Sequence, residues 1–505
     1  MAVDYDRLTP VERVARRRRR IRWAVILAVL AALIYYFVIA SDWVIAHDRG
    51  EEHFKYGSIG SENSQGLPRK IFDALPVIYA DKMGPEGWRH FGLVYEEGQD
   101  LPVGFSRRRI DGVERVWLNC SVCHIGSYKL PGESEVHLIP GAPSNALRLQ
   151  ELIKFFVGVG RDPRFNADNV IAAINGPDVK GSLNALERPL YRLLVVPMVR
   201  EGFLQIGRQL AFVERQHDWG PGRVDTFNPY KAIQFNFPMG PEDIDDVALN
   251  GASDYPATWM QAPREGMQLH WDGNNDSVDE RNLSAALGAG VTPVTADYAA
   301  IKRVRAWTND LPPPPFPLPD SIDRAAAARG AELFDEYCAA CHGMGGEDGY
   351  DYDRRRHARL GTVDPLWKIG TDPGRWASYD ADFAAAQNML YAGTPVEFRH
   401  FRKTDGYANQ PLDGIWARSP YLHNGSVPTL RDLMEPAAAR PAIWYRGALE
   451  FDPFKVGYRT DEAPGLFRYD TAVPGNGNEG HEGPAYGTDL SAADKDALVE
   501  YMKTL

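Results

Sequence analysis

The chain has 505 residues, 44% of them hydrophobic and 25% charged, with a formal net charge of −12. That length suits roughly two to four domains, and the near-average composition excludes wholesale disorder and coiled coil. Net acidity argues against a nucleic-acid binder, four cysteines are too few for a disulfide scaffold, and a mean hydropathy of −0.37 excludes a polytopic membrane protein.

Residues 1–22 hold eight arginines against Asp4, Asp6 and Glu12, so the acidity belongs to the rest of the chain. The next 18 residues, Trp23 to Ala40, carry no charge. As a helix they would span about 27 Å, just enough for a hydrocarbon core. With Arg16–Arg20 and Arg22 on the N-terminal flank, the positive-inside rule predicts a cytoplasmic tail, a transmembrane helix over 23–40 and an exported body. A cleaved signal peptide is the competing reading, disfavoured by the length of the apolar stretch. The expected location is thus the bacterial inner membrane, single-pass, with the body in the periplasm.

Helical patterns follow at Asn145–Val157 and Leu190–Ile206, separated by loops rich in Gly, Pro and Asn. Leu311–Pro319 (LPPPPFPLP) can be neither helix nor central strand and reads as a stiff connector between 41–310 and 320–505. Beyond it, Ser321 is the expected N-cap of an Ala-rich helix ending at Cys338. Ser491 caps the terminal helix, whose Leu498, Tyr501, Met502 and Leu505 share an apolar face. The fold class predicted is mainly α with many loops, an N-terminal transmembrane helix preceding two cytochrome c-like haem domains.

Every cysteine falls in one of two identical patterns, Cys120-Ser-Val-Cys123-His124 and Cys338-Ala-Ala-Cys341-His342. C-x-x-C-H is the attachment pattern of c-type haem. Two thiols one turn apart add to the porphyrin vinyl groups, and the adjacent imidazole is set under the iron. A redox CxxC pair would not need the histidine, and a zinc site would need both pairs brought together across the connector. Two covalent haems are therefore predicted, with His124 and His342 as iron ligands.

The sixth position of each iron separates electron carrier from catalyst. For the second iron the candidates are His481, Met434, His423 and Met389. Met344 is too close to His342 to cross the ring. His217, His270, Met198, Met239, Met260 and Met267 are within reach of the first, and none stands out by spacing.

Three further segments are distinctive: Trp219-Gly-Pro-Gly-Arg-Val-Asp-Thr-Phe-Asn228, Leu269-His-Trp-Asp-Gly-Asn-Asn275 and Pro420-Tyr-Leu-His-Asn-Gly-Ser-Val-Pro-Thr-Leu430. With the two attachment motifs they resemble the di-haem superfamily of bacterial cytochrome c peroxidases, nearest the branch of di-haem rubber oxygenases. The resemblance implies that Trp271 is an inter-haem electron relay, with a core aromatic as the alternative. It also puts His423 in the region between the haems rather than on an iron. The position that ligates the second haem in peroxidases is Ala437 here, and Met434 is three residues early. The late histidine of the rubber-oxygenase branch resembles Gly480-His481, so His481 is preferred to Met434. That branch leaves the first haem open on its distal side, where Trp219, Phe235 and Phe237 could line a pocket or simply pack. The family segment FWDGR reads HWDGNN here, and the stretch between Cys123 and Trp271 is longer than in the peroxidases.

The function expected is a membrane-anchored periplasmic oxidoreductase acting on peroxide or O2 at the first haem, with electron transfer through the second. Alternatives are a pure electron-transfer cytochrome with both haems six-coordinate, and a redox-sensing or scaffold subunit. An electron-transfer partner is expected, and the acidic body suits a basic one such as a small soluble cytochrome. Calcium occurs between the haems of the peroxidases, but no carboxylate cluster in this sequence fixes one.

Overall fold

The computed structural model describes residues 9–35, 42–346 and 349–505. Helix outweighs strand, 43% against 12%. The strands form small antiparallel pairings, the largest a four-stranded sheet ordered Trp43–Val44, Phe105–Ile110, Val113–Leu118 and Leu67–Pro68.

The central hairpin of that sheet is written locally. Ile110 pairs with Val113 around the two-residue turn Asp111-Gly112, whose φ angles are 50° and 77°. Both lie in the left-handed region that the favoured two-residue hairpin turn requires, and Asp-Gly is among its preferred sequences. The outgoing strand ends at Leu118 and hands the chain directly to Cys120. The helices Arg69–Ile78, Leu149–Arg161, Ala167–Ile174 and Val196–Gln209 share one core with Phe105 and Val116 of the hairpin, burying Phe72, Leu75, Phe155, Phe156, Ile174 and Phe203. The pattern expected over Leu190–Ile206 is a helix with a wider π turn at Tyr191–Val195. Pro197 follows that turn at once; lacking an N–H, it cannot close an ordinary helical bond.

A second core joins the helix Arg324–Tyr337 to the terminal helix Ala492–Met502. Ser491 caps the latter, accepting from the Asp494 N–H at 3.2 Å. The cap of the former is Asp323 rather than Ser321: its carboxylate accepts from the Ala325 and Ala326 N–H groups. Ser321 instead donates to the Leu318 carbonyl in the turn before. The proline-rich stretch lies on this core, with Phe316 buried and the Pro314 carbonyl accepting from Trp416 Nε1 at 2.8 Å. Ile139, Ala142 and Trp259, from ahead of the prolines, belong to the same core.

The N-terminal expectation needs correction. The first helix is Pro10–Ile34, started by a capping box in which Thr9 and Glu12 bond reciprocally. It therefore begins well inside the basic segment and spends its first half on Arg13, Arg16–Arg20 and Arg22. Within its described part the apolar stretch is Trp23–Ile34, about 18 Å against the roughly 30 Å of a hydrocarbon core. No helix among the described residues is long and apolar enough to cross a membrane. Residues 36–40 of the expected span lie outside the described residues. The expected transmembrane helix over Trp23–Ala40, and with it the single-pass inner-membrane placement with a periplasmic body, is set aside.

Candidate functional site

Asn119 converts the end of the hairpin strand into the first attachment motif. Its amide donates to the Lys55 and Gly57 carbonyls, and its oxygen accepts from the Ser121 N–H, starting the tight turn Cys120–Val122. His124 Nδ1 then lies 2.9 Å from the Pro256 carbonyl. A carbonyl can only accept, so Nδ1 carries the proton and Nε2 keeps a free lone pair, the tautomer a metal ligand needs. The His124 imidazole is held neutral, its pKa lowered to about 4 by burial and then by the Arg281 charge. Burial likewise pushes the Cys120 thiol up to about 11 and that of Cys123 to about 12. Thiols so raised are the opposite of the activated thiolate of a redox pair.

The second motif is built from a helix end. Cys338 caps the helix Arg324–Tyr337, and Ala339–His342 make one further turn. His342 repeats the arrangement of His124, with Nδ1 donating to the Gln410 carbonyl at 2.7 Å. Opposite it stands His481, the two ring centres 6.2 Å apart. Two metal–imidazole bonds of about 2.0 Å plus two ring radii of roughly 1 Å give about 6 Å, so one iron fits between the rings. His481 is presented by a backbone at φ 51°, its N–H bonded to the Ile369 carbonyl. Arg440 donates to the carbonyls of Asn478, Gly480 and His481. Burial, then His342 and Arg440, lowers the pKa of His481 to about 3.

The other candidates for the second iron go elsewhere. Met434 is buried in the core that holds Leu333 and Leu498, Met389 is exposed, and Met344 lies in a short strand. Ala437 lies in a turn, its N–H on the Glu482 carboxylate. His423 stacks on Tyr407 with ring centres 4.2 Å apart. At the first motif, the ring beside His124 is that of Tyr255, edge-on at 6.3 Å. Among the described residues no histidine ring stands opposite His124 in the way His481 faces His342. Met198 and His217 are exposed. Met267 is buried with Leu269 and Leu360, while Met260 and Met239 pack against other cores. His270 is tied through Nδ1 to Asn274 Oδ1 at 2.6 Å. Phe235 and Phe237 join the aromatic cluster of Tyr230 and Phe383 that Cys120 borders. Trp219 does not: it is buried with its N–H on Gln150.

A cleft runs between the two motifs, lined in part by Tyr255, Pro256, His270, Trp271 and Gln410. Across it a path of hydrogen bonds and short backbone steps joins one histidine to the other. The Gln410 carbonyl holds His342, and its side-chain amide donates to the His270 carbonyl at 3.1 Å. Trp271 Nε1 donates to the Asp254 carbonyl at 2.7 Å, two residues before the Pro256 carbonyl that holds His124. Sequence reasoning named Trp271 but missed Gln410, Tyr255 and Pro256, which no local pattern marks. Nor did it find Arg264, Arg281 and Arg418 on the cleft wall. Among the described residues no group of three or more His, Cys, Asp or Glu is arranged to hold a free metal ion.

Two family descriptions match parts of this chain. "RoxA-like, cytochrome c-like" covers residues 406–445, the stretch holding Gln410, His423 and Met434. "Cytochrome C oxidase, cbb3-type, subunit III" covers residues 325–375, around Cys338–His342. The chain is 28% identical over 518 residues to the uncharacterized protein y4iJ of Sinorhizobium fredii (strain NBRC 101917 / NGR234), covering 82% of this chain and 84% of that protein. To the uncharacterized protein y4iM of the same strain it is 33% identical over 289 residues, 50% of this chain and 64% of that protein. The two matched segments support a c-type cytochrome, a redox protein carrying covalently bound haem c.

Proposed function

We propose that the chain is a di-haem cytochrome related to the RoxA-like branch of the peroxidase superfamily. One haem is attached at Cys120, Cys123 and His124, the other at Cys338, Cys341 and His342. It acts as an oxidoreductase on peroxide or O2 at the first and exchanges electrons through the second. The observation that carries the reading is the asymmetry between the motifs: an imidazole 6.2 Å from His342, and only the edge of Tyr255 beside His124.

Bound haem supplies one-electron iron chemistry and, where an axial position stays open, a place for O2 or peroxide. The chain's own residues do the remaining work. The Pro256 and Gln410 carbonyls fix the tautomer and orientation of the two proximal imidazoles. His481 closes the second site, suiting it to electron transfer alone. Trp271 sits in the hydrogen-bonded path between His342 and His124, which favours its role as relay over that of a filler aromatic. A basic electron-transfer protein, such as a small soluble cytochrome, suits the acidic chain as partner.

Intact-mass measurement on protein made in cells competent for haem ligation tests the first part. Two haem additions are expected, with one lost in each Cys-pair→Ser variant. EPR and visible spectra test the second. One low-spin haem indifferent to peroxide and one that responds are expected, and His124→Ala should abolish only the response. Two low-spin haems, unresponsive in both oxidation states, would make the protein an electron carrier and overturn the oxidoreductase reading.

A further inference from the structure

Positive charge outweighs negative on the wall of the cleft between the motifs. Arg264, Arg281 and Arg418 line it. Arg264 and Arg418 share the single buried carboxylate of Asp413, at 2.5 and 2.7 Å. Asp254, also on the wall, is committed to Arg446 at 2.9 Å. Arg281 has neither. It projects from the helix Val278–Gly288 and is only 8% exposed. Its Nε donates to Asn282 Oδ1 at 3.0 Å, but Nη2 is buried with no partner. The nearby Glu265 is taken by Arg305 at 3.0 Å. Burial, with repulsion from Arg264, lowers the Arg281 pKa to about 10.

A guanidinium shut away from water without a counter-ion is strongly unfavourable, and one missing hydrogen bond adds to that. A fold keeps such a group where an anion completes it. Planar, forked donors match the two oxygens of a carboxylate bidentately. The helix of Arg281 contributes Leu283 and Leu287 to the core that Cys120 borders, and the charge of Arg281 acts on both His124 and Cys120, so it belongs to the first attachment site.

We propose that Arg281 is a carboxylate-binding residue of the first haem site, with the Arg264–Asp413–Arg418 group supplying a surplus positive potential beside it. This rests on a haem being attached at Cys120 and Cys123. Two sources of carboxylate share the chemistry: a propionate of that haem, or a free small carboxylate admitted by the cleft. In both cases a fixed cation beside the iron favours the reduced form, which carries one positive charge fewer.

The test uses the haem-loaded full chain and the variants Arg281→Gln and Arg281→Lys. Spectroelectrochemical titration reads the midpoint potential of each haem, and formate titration followed by visible absorbance reads free-anion binding. A propionate partner predicts a lower potential for the first haem in Arg281→Gln, retention of most of it in Arg281→Lys, an unmoved second haem, and no response to formate. A free carboxylate predicts a saturable formate response in the parent protein, weakened at least tenfold in Arg281→Gln. Arg281→Gln protein with both haems attached, an unmoved first potential and an unchanged formate titration would overturn the proposal while leaving the di-haem reading intact. Absence of haem at Cys120 and Cys123 would overturn both. Because Arg281→Lys keeps the charge, a purely structural role would leave both variants alike.

Discussion

The helix pair at the second motif offers a sharp quantitative test through Gly330. A Cβ at that position would lie 2.6 Å from the carbonyl carbon of Ala497 and 2.9 Å from Tyr501 Cβ, with the Ala497 oxygen nearer still. Ordinary carbon contacts start near 3.5 Å, so Gly330→Ala must drive the helices apart by about 1 Å. The first obstacle is backbone, which cannot rotate away. The cost therefore belongs at the upper end of overpacking penalties, about 3 kcal/mol. Against it stands the helix-propensity gain of Gly→Ala, about 1 kcal/mol. The expected net loss is about 2 kcal/mol. Gly202 is the control: it lies exposed in the helix Val196–Gln209, with nothing within 4 Å of a built Cβ. Gly202→Ala should therefore stabilise by about 0.5–1 kcal/mol. Guanidinium unfolding of both variants, followed by tryptophan fluorescence and haem absorbance, separates the two terms. Equal or greater stability in Gly330→Ala would refute the close approach on which the second motif's helix rests.

Three other substitutions probe the sites. His481→Ala should convert one haem from low to high spin and leave the other unchanged; an unaltered EPR spectrum would exclude His481 as a ligand. His423, buried and surrounded by Arg375 and Arg223, has its pKa lowered to about 3 by burial and then by those charges, against about 6.5 unfolded. Its contribution is complete above pH 6.5 and declines as the pH falls towards 3, about 2 kcal/mol having gone by pH 5. His423→Gln should remove that much of the acid sensitivity in urea titrations at pH 7 and pH 5, and an identical pH difference in both proteins would contradict it. Gly112→Val puts a β-branched residue at φ 77° and should cost at least about 1–2 kcal/mol. Because the hairpin delivers Cys120, haem loading at the first motif should fall more than at the second, as read by peptide mass spectrometry.

What the sequence discloses here is whatever is encoded within a few residues. The two C-x-x-C-H patterns, the Ser491 cap and the helix running into Cys338 all depend on neighbours in sequence. The position of His481 before the terminal helix is enough to name it a candidate. That its ring stands across from His342 depends on Ile369 and Arg440, which no spacing rule links to it. The same limit hides the partners of the proximal histidines: Pro256 is 132 positions from His124, and Gln410 is 68 from His342. Arg281 escapes notice for another reason, since an arginine in a polar helix segment reads as solvated until its burial is known. Where local reading erred, a nearer competitor won. Asp323 displaced Ser321 because its carboxylate reaches two N–H groups at once.

Segments around the two attachment motifs share one uncommon property. His270, Leu422 and His481 hold left-handed backbones at φ 61°, 65° and 51°, and none is glycine. Each such residue costs about 1–2 kcal/mol relative to a relaxed conformation. The surroundings hold each in place. Gln410 bonds the His270 carbonyl, and the flanking residues Leu269 and Asn275 bridge to each other. Tyr421 and Val427 bridge likewise around Leu422, beside an Asn424 amide fixed on the Gly475 and Gly477 carbonyls. Arg440 clamps the loop of His481. Three strained residues on three separate segments, each locked by hydrogen bonds around it, are the pattern of a preorganised site. The relaxed backbone would turn the His481 ring away from His342 and move the Trp271 indole off the Asp254 carbonyl. In both places the strain is what keeps the geometry, of the His342–His481 pair and of the Trp271 indole, in position before any ligand or electron arrives.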